Sequence, residues 1–248
     1  LSKKKSLDRK AWLEKKGDGY FKLGAWSLVA DQHYTNTGEI DPNATRGTFN
    51  LNLYAKYGLS ENWNVITYIP FYVKTYQNHV VSEVTGEKIT NGEEFSSFGD
   101  MDLGIEYRLF KKPKHAFSAV FTLGIPSGNN NAGSDGSYQT GDGEFNQEIR
   151  INAGTSFKIS TLSFYAKAYL GFNNRTENFS DEIRTGFELG TSFFQKKLLL
   201  LMRSNIVESL RNGSLNAANS NGSIFANNVE LAGLGGEIAW KFTENLGV

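Results

Sequence analysis

From residue 98 to 126 the chain reads FGDMDLGIEYRLFKKPKHAFSAVFTLGIP, and apolar residues fall at every second position. Met101, Leu103, Ile105, Tyr107 and Leu109 alternate with Asp100, Asp102, Gly104, Glu106 and Arg108. Past KKPKH the alternation resumes with Phe117, Ala119, Phe121, Leu123 and Ile125. A period of two marks a β-strand whose two faces meet different surroundings. The same pattern recurs in TFNLNLYAKYGL, EIRINAGTSFKI, LSFYAKAYLGF and RTGFELGTSFF. Together these runs predict ten strands, at about 19–30, 48–58, 63–75, 99–110, 115–126, 146–159, 162–173, 182–194, 198–208 and 225–242. A shifting register is expected around Gly24, a β-bulge near Gly233–Gly236, and inward-pointing Arg203 and Asn205 in LLLLMRSNIV.

Strand length narrows the fold. Strands of globular proteins run about 5–6 residues, and tilted membrane-spanning strands about 9–11; the clear runs here match the second. The connections alternate too. Short polar turns (59–62, 111–114, 160–161, 195–197, 243–245) alternate with long Gly/Asn/Ser/Asp-rich segments (31–47, 76–97, 127–144, 173–182, 209–224). That rhythm predicts an all-β, transmembrane, antiparallel up-and-down β-barrel with one plain rim and one elaborate rim. KFTENLGV at 241–248 repeats the strand-end pattern of YGLSENWNV, so twelve strands are expected in the full protein, with ten as the alternative. Residues 1–18 form a basic segment expected in the periplasm, with a short helix around Leu7, Trp12 and Leu13. Residues 19–248 form the barrel, expected to lack its last two strands.

The chain contains no run of 18 apolar residues, which excludes a transmembrane helix as the membrane element. A closed barrel is then the remaining way for a backbone to cross lipid. An outward arginine at the bilayer midplane costs about 2–4 kcal/mol and acids somewhat less. Several such residues would consume the margin of about 5–15 kcal/mol that keeps a domain folded. The polar face must therefore point inward. The expected lumen lining is Tyr54, Lys56, Asp100, Asp102, Glu106, Arg108, Glu148, Arg150, Tyr165, Lys167, Tyr169, Arg184, Glu188, Arg203 and Glu230. Aromatic residues at the short-turn ends, such as Tyr57, Trp63, Phe110, Phe117, Phe157 and Trp240, predict an interfacial girdle.

Charge and composition remove other classes. Basic and acidic residues number 26 each, which gives no electrostatic basis for a nucleic-acid partner. There is no cysteine, so disulfides, thiolate nucleophiles and Cys-based metal sites are out. His33, His79 and His115 are scattered, and no serine stands at a recognisable spacing from His33; neither a metal centre nor an enzyme is expected. Asp135, Asp142 and Glu144, among the glycines of NNNAGSDGSYQTGDGEFNQE, suit either oxygen ligation of calcium or a solvated loop turning at its Asp-Gly pairs. The second is the expectation, and no cofactor is expected.

KKGDGYFKLGAWSLVADQHY, YGLSENWNVITYIPFY, FGDMDLGIEYRLF, GIPSG, QTGDGEFNQ and FNNRTENFSDEIRTGFELG carry a resemblance over about residues 15–248. Together they resemble the Gram-negative outer-membrane barrels grouped with the phenol meta-pathway and fatty-acid-type transporters. The resemblance implies a bacterial outer-membrane location and a passive route for small hydrophobic or aromatic molecules. A long plug segment like that of a fatty-acid transporter is missing unless residues 1–18 stand in for it. The leading expectation is a porin-like channel in the lipid bilayer of the outer membrane. The alternative is a closed barrel with protein partners, an accessory subunit of a larger outer-membrane assembly for secretion or uptake.

Overall fold

The computed structural model describes residues 13–31, 33–34, 40–41, 45–82, 84–134, 136–214, 217, 225, 227–243 and 245–248. The strands are β1 (Gly19–Ala30), β2 (His33–Tyr34), β3 (Ile40–Asp41), β4 (Arg46–Gly58), β5 (Trp63–Gln77), β6 (Val80–Val81), β7 (Lys88–Thr90), β8 (Glu93–Ser97), β9 (Met101–Lys111), β10 (His115–Ile125), β11 (Asn146–Ile159), β12 (Leu162–Arg175), β13 (Glu182–Phe193), β14 (Leu198–Ser209) and β15 (Leu231–Trp240). Ten of these are long and pair with successive neighbours in the order β1-β4-β5-β9-β10-β11-β12-β13-β14-β15, every pair antiparallel. They form one sheet curved into an open half-barrel. Among the described residues there is no α-helix, and the other sheets are the two-stranded pairs β2-β3 and β6-β7.

The short strands lie within connections that the sequence pattern left as loops. β2 pairs with β3, and β6 with β7 around a turn that uses Gly86 at φ +69°. β8 continues the partnership of β5 beyond β9. Trp63–Tyr68 of β5 pair with β9, and Val73–Gln77 pair with β8. Pro70 falls in the gap between those two ladders, where no N–H is required of it. On the other side of Pro70 the β4–β5 register slips between Leu51 and Leu53, so the bulge and the proline coincide.

Two register expectations are corrected. β1 stays in step with β4 through all its pairs, with Gly24 opposite Asn52. β15 pairs with β14 without a slip from Trp240 to Leu231. Gly235 has open space where a Cβ would stand, and a Cβ at Gly233 or Gly236 would meet only ordinary contacts, so the glycines relieve no crowding that would demand a bulge. β15 also begins at Leu231 rather than at 225, which changes the inward set near its start.

On β4, β5 and β9 to β13 the apolar residues mostly stand on the convex side and the polar residues on the concave side, with Ile66 and Val120 among the concave exceptions, whereas β1 and β15 are exposed on both faces. On β11, Glu148 is 4% exposed and its neighbour Ile149 is 59% exposed. Leu103, Ile105 and Leu109 on β9, with Leu170 and Phe172 on β12, are likewise exposed, whereas Glu106, Ser118 and Asn152 are buried. At the short-turn end the convex aromatics pair across strands: Trp63 with Tyr107 (4.5 Å between ring centroids), Phe110 with Phe117 (5.7 Å) and Phe157 with Phe164 (5.7 Å, stacked). Such contacts favour neighbouring strands by about 0.5–1.5 kcal/mol each beyond area burial.

The two edge strands differ from the rest in having one neighbour each. Lys22 of β1 reaches Glu237 of β15 at 3.5 Å across the gap. After β15 the chain reverses, and Val248 exchanges backbone hydrogen bonds with Trp240. At the other end of the chain, Gly17 N–H donates to Gly58 O at 2.9 Å, which lays residues 13–18 against the β4–β5 turn with Leu13 buried. Leu13 lies in no helix; Leu7 and Trp12 of the expected helix lie outside the described residues.

Candidate functional site: a charged concave face and a latched loop

Alternation brings side chains from every long strand to the concave side, and the antiparallel register sets which of them meet. In the half nearer the short turns, Lys56 on β4 pairs with Glu106 on β9 at 2.6 Å. The other oxygen of Glu106 accepts from Ser118 Oγ of β10 (2.6 Å), which in turn accepts from Asn152 Nδ2 of β11 (3.1 Å). Further round, Glu188 on β13 accepts from the Tyr165 hydroxyl (2.7 Å) and pairs with Arg203 on β14 (2.6 Å). Arg203 also bonds Glu237 (2.7 Å), the residue that Lys22 reaches.

Nearer the long connections the charges form an alternating ladder. Arg150 pairs with Glu148, and Glu148 with Arg184 (3.2 Å). Arg184 bonds Glu182 (2.6 Å), and Glu182 bonds Arg175 (2.8 Å). Arg150 lies over the Tyr169 ring at 4.4 Å, a cation–π contact that fixes its plane. Tyr169 needs room for this, and Gly186 opposite supplies it: a Cβ there would strike the ring. The Tyr169 hydroxyl donates to Asn205 Oδ1 at 3.0 Å.

The ladder ends on the connection between β10 and β11. Arg175 bonds Glu144 through Nε (2.6 Å) and Asp142 through Nη2 (3.2 Å), and its guanidinium packs on Phe179 at 4.4 Å. Opposite, Asp100 accepts the backbone N–H of Gly128 (2.8 Å) on one oxygen and that of Asp142 (2.7 Å) on the other. Gly141 passes so close that a Cβ would run into the Asp100 carboxylate. Glu93 of β8 holds the middle of the loop through Ser134 N–H (2.9 Å) and Oγ (2.6 Å). Within the loop, Asn129 and Thr140 exchange hydrogen bonds and Gln139 donates to Asn130 O (2.9 Å). Tyr138, Gln139, Thr140 and Glu144 are buried as a result. Ser137 and Tyr138 reach β1, β4 and β5, where they share a cavity of about 90 Å³ with Leu28, Arg46, Thr48 and Tyr76. The loop thus crosses the mouth of the half-barrel.

Burial, then the Asp142 carboxylate beside it, pushes Asp100 up from 3.8 to about 7, against the two N–H donors. Burial likewise lifts Glu144 to about 7, with Arg175 opposing and Asp142 adding. Both groups sit outside the strands, at the latch.

Below the loop a cavity of about 230 Å³ opens on the concave face. Tyr54, Lys56, Tyr68, Asp102, Glu106, Glu148, Arg150, Asn152, Lys167, Asn173 and Arg184 are in its wall.

Placed against expectation, Lys56, Glu106, Glu148, Arg150, Arg184, Glu188 and Arg203 all join concave-face ion pairs, and Tyr165 and Tyr169 bond within the same networks. Tyr54, Asp102 and Lys167 line the cavity. Arg108 lies further along β9, its Nε buried without a hydrogen-bond partner. Two placements differ from the expectation. Asp100 precedes β9 and holds the loop rather than the wall of the cavity. Glu230 precedes β15 and pairs with Arg211 at 2.8 Å beside the long connection; the inward acid of β15 is Glu237. Asp142 and Glu144, weighed for calcium, have Arg175 as their cation, and Asp135 lies outside the described residues. Arg175 and Glu182 were missed because both fall at the margins of a segment whose composition reads as loop.

A scan against protein-family models finds no match, and a search of curated proteins finds none either.

Proposed function

We propose that this protein is a β-barrel of a bacterial outer membrane whose concave face walls a passage for small solutes. The inversion of burial across β4 and β9 to β13 carries the reading. Charged and amide side chains are sheltered on the concave side, while leucine, isoleucine and phenylalanine stand exposed along the convex side. A water-soluble protein rarely leaves so wide an apolar surface open, and hydrocarbon is the solvent that suits it. Exposed, paired aromatics near the short turns fit a membrane-interface girdle. The long connections would face outward and the short turns the periplasm. The resemblance to phenol meta-pathway and fatty-acid-type barrels belongs to this proposal and supports the same location.

The latched loop narrows the outer mouth, and lining charge and bore would set selectivity. Refolded protein in planar bilayers is expected to give stepwise conductance, and in liposomes to admit glycerol-sized solutes. Electrical silence together with no solute uptake overturns the passage. A second reading, a subunit of a larger outer-membrane assembly, is favoured by the ion-pair ladder that fills the concave side and by the two single-neighbour edges, β1 and β15. Native mass after gentle extraction decides it: a larger complex supports assembly, and a monomer refutes it.

A further inference from the structure

We infer that the concave cavity binds an elongated zwitterion, a solute with an ammonium group at one end and a carboxylate at the other, such as an ω-amino acid or a short peptide. The inference rests on the passage reading and names its solute class.

Of the charged side chains lining the cavity, five are neutralised by ion pairs: Lys56, Glu106, Glu148, Arg150 and Arg184. The remaining two, Asp102 and Lys167, make no ion pair and no side-chain hydrogen bond among the described residues. Lys167 stands opposite Glu188 in the β12–β13 register, but the oxygens of Glu188 are taken by Tyr165 and Arg203. Around the Lys167 ammonium the charged groups are Glu188, Lys56, Glu106 and Arg150. Around the Asp102 carboxylate they are Arg184, Glu148, Arg150 and Asp142.

These two charges of opposite sign sit at different levels. Asp102 lies at the loop end of β9, beside Tyr68 in the β5 register, whereas Lys167 shares its surroundings with Glu106, four residues further along β9. Four residues of strand span roughly 13 Å. Two buried amides flank these charges. Asn173 is fully buried, its Nδ2 held by Asn146 (2.6 Å) and Glu182 (3.2 Å), and its Oδ1 is left without a donor. At the basic level Asn152 is fixed through Nδ2 on Ser118 and likewise has an Oδ1 without a donor.

Half-buried charges without partners are costly. One solute relieves the set. Its ammonium meets Asp102 and its carboxylate meets Lys167. An α-amino acid is too short to reach both levels. A chain the length of 6-aminohexanoate or triglycine has its charges far enough apart for the long Lys167 side chain to close the remaining distance. The cavity of about 230 Å³ admits a molecule of this size.

The test titrates the full chain, folded in detergent micelles, with 6-aminohexanoate and triglycine by calorimetry. Glycine, hexanoate and hexylamine are the controls. Both long zwitterions are expected to bind at least about tenfold more tightly than each control, a difference of ~1.4 kcal/mol or more. Lys167→Met and Asp102→Asn are each expected to lose about tenfold in affinity for the zwitterions, while Lys167→Arg keeps most of it. Circular dichroism establishes that each variant is folded before it is scored. Equal affinity for hexanoate, hexylamine and 6-aminohexanoate overturns the inference. So does unchanged zwitterion binding in folded Lys167→Met. Liposome flux separates this from the passage itself: zwitterion binding without flux of any solute supports the site and overturns the passage. Glycerol flux without zwitterion preference overturns the site and leaves the passage standing.

Discussion

On β11, Glu148, Arg150 and Asn152 face one way and Ile149, Ile151 and Ala153 the other, on a single backbone with a single set of ladder hydrogen bonds. The concave residues have partners within the chain: Glu148 alone bonds two arginines. The convex residues have only their neighbours on the same face, and Ile149 and Ile151 stay exposed. In a water-soluble sheet the assignment is reversed, because apolar burial at about 25 cal/mol per Å² is the main favourable contribution to folding. Here that burial is not supplied by the described residues. The contrast says which face is complete and which awaits a solvent of its own.

Four changes test that contrast, in descending order of expected effect. Arg175→Met leaves Asp142, Glu144 and Glu182 facing one another without their shared cation; removing one partner of a buried pair costs about 3–5 kcal/mol. Urea unfolding in lipid vesicles should register the loss, and adding Glu144→Gln and Glu182→Gln should return part of it. Next, Ile105→Arg in the middle of β9 should cost about 2–4 kcal/mol in the same assay. Val120→Thr, on the concave side of the adjacent β10, should change stability little. If the two substitutions cost the same, the faces are not different solvents.

The third is a pH effect on the loop. Asp100, pushed up to about 7 from 3.8, holds more protons in the folded loop than in the open one between those values. The latch is therefore favoured in acid and loses that advantage as pH rises through about 7. Amide protection factors at Gly128 and Asp142, corrected for intrinsic exchange, should fall from pH 5 to pH 8, and Asp100→Asn should flatten the profile. Smallest is Lys22→Met: the 3.5 Å contact to Glu237 is half-exposed, and such pairs are worth at most about 1 kcal/mol. A larger loss by chemical denaturation would mean that this contact holds the two edges together.

The strands were legible because alternation needs only local sequence. The ends of β1, β5, β11 and β12 fall within two residues of where the pattern puts them. The latch was not legible. Asp100 and Asp142 meet across 42 positions, and the contact uses backbone N–H groups that leave no side-chain signature. Alternation also misplaced Glu230. Glu230 and Glu237 stand an odd number of positions apart and cannot share a face of an unslipped strand; the ladder with β14 starts only at Leu231, so Glu230 falls on the rim and Glu237 takes the inward place. Asp102 and Lys167 were assigned to the polar face from sequence. That, among the described residues, they alone of the cavity charges lack ion-pair partners follows from which strands adjoin, and composition does not encode it.

The absence of cysteine makes the central claim directly measurable, since single cysteines can be introduced one at a time from 148 to 153 on β11 and spin-labelled in vesicles. Labels at 149, 151 and 153 are expected to collide with lipid-dissolved oxygen, and labels at 148, 150 and 152 with a water-soluble nickel chelate. Uniform access of the chelate to all six positions, or the opposite alternation, would contradict the account.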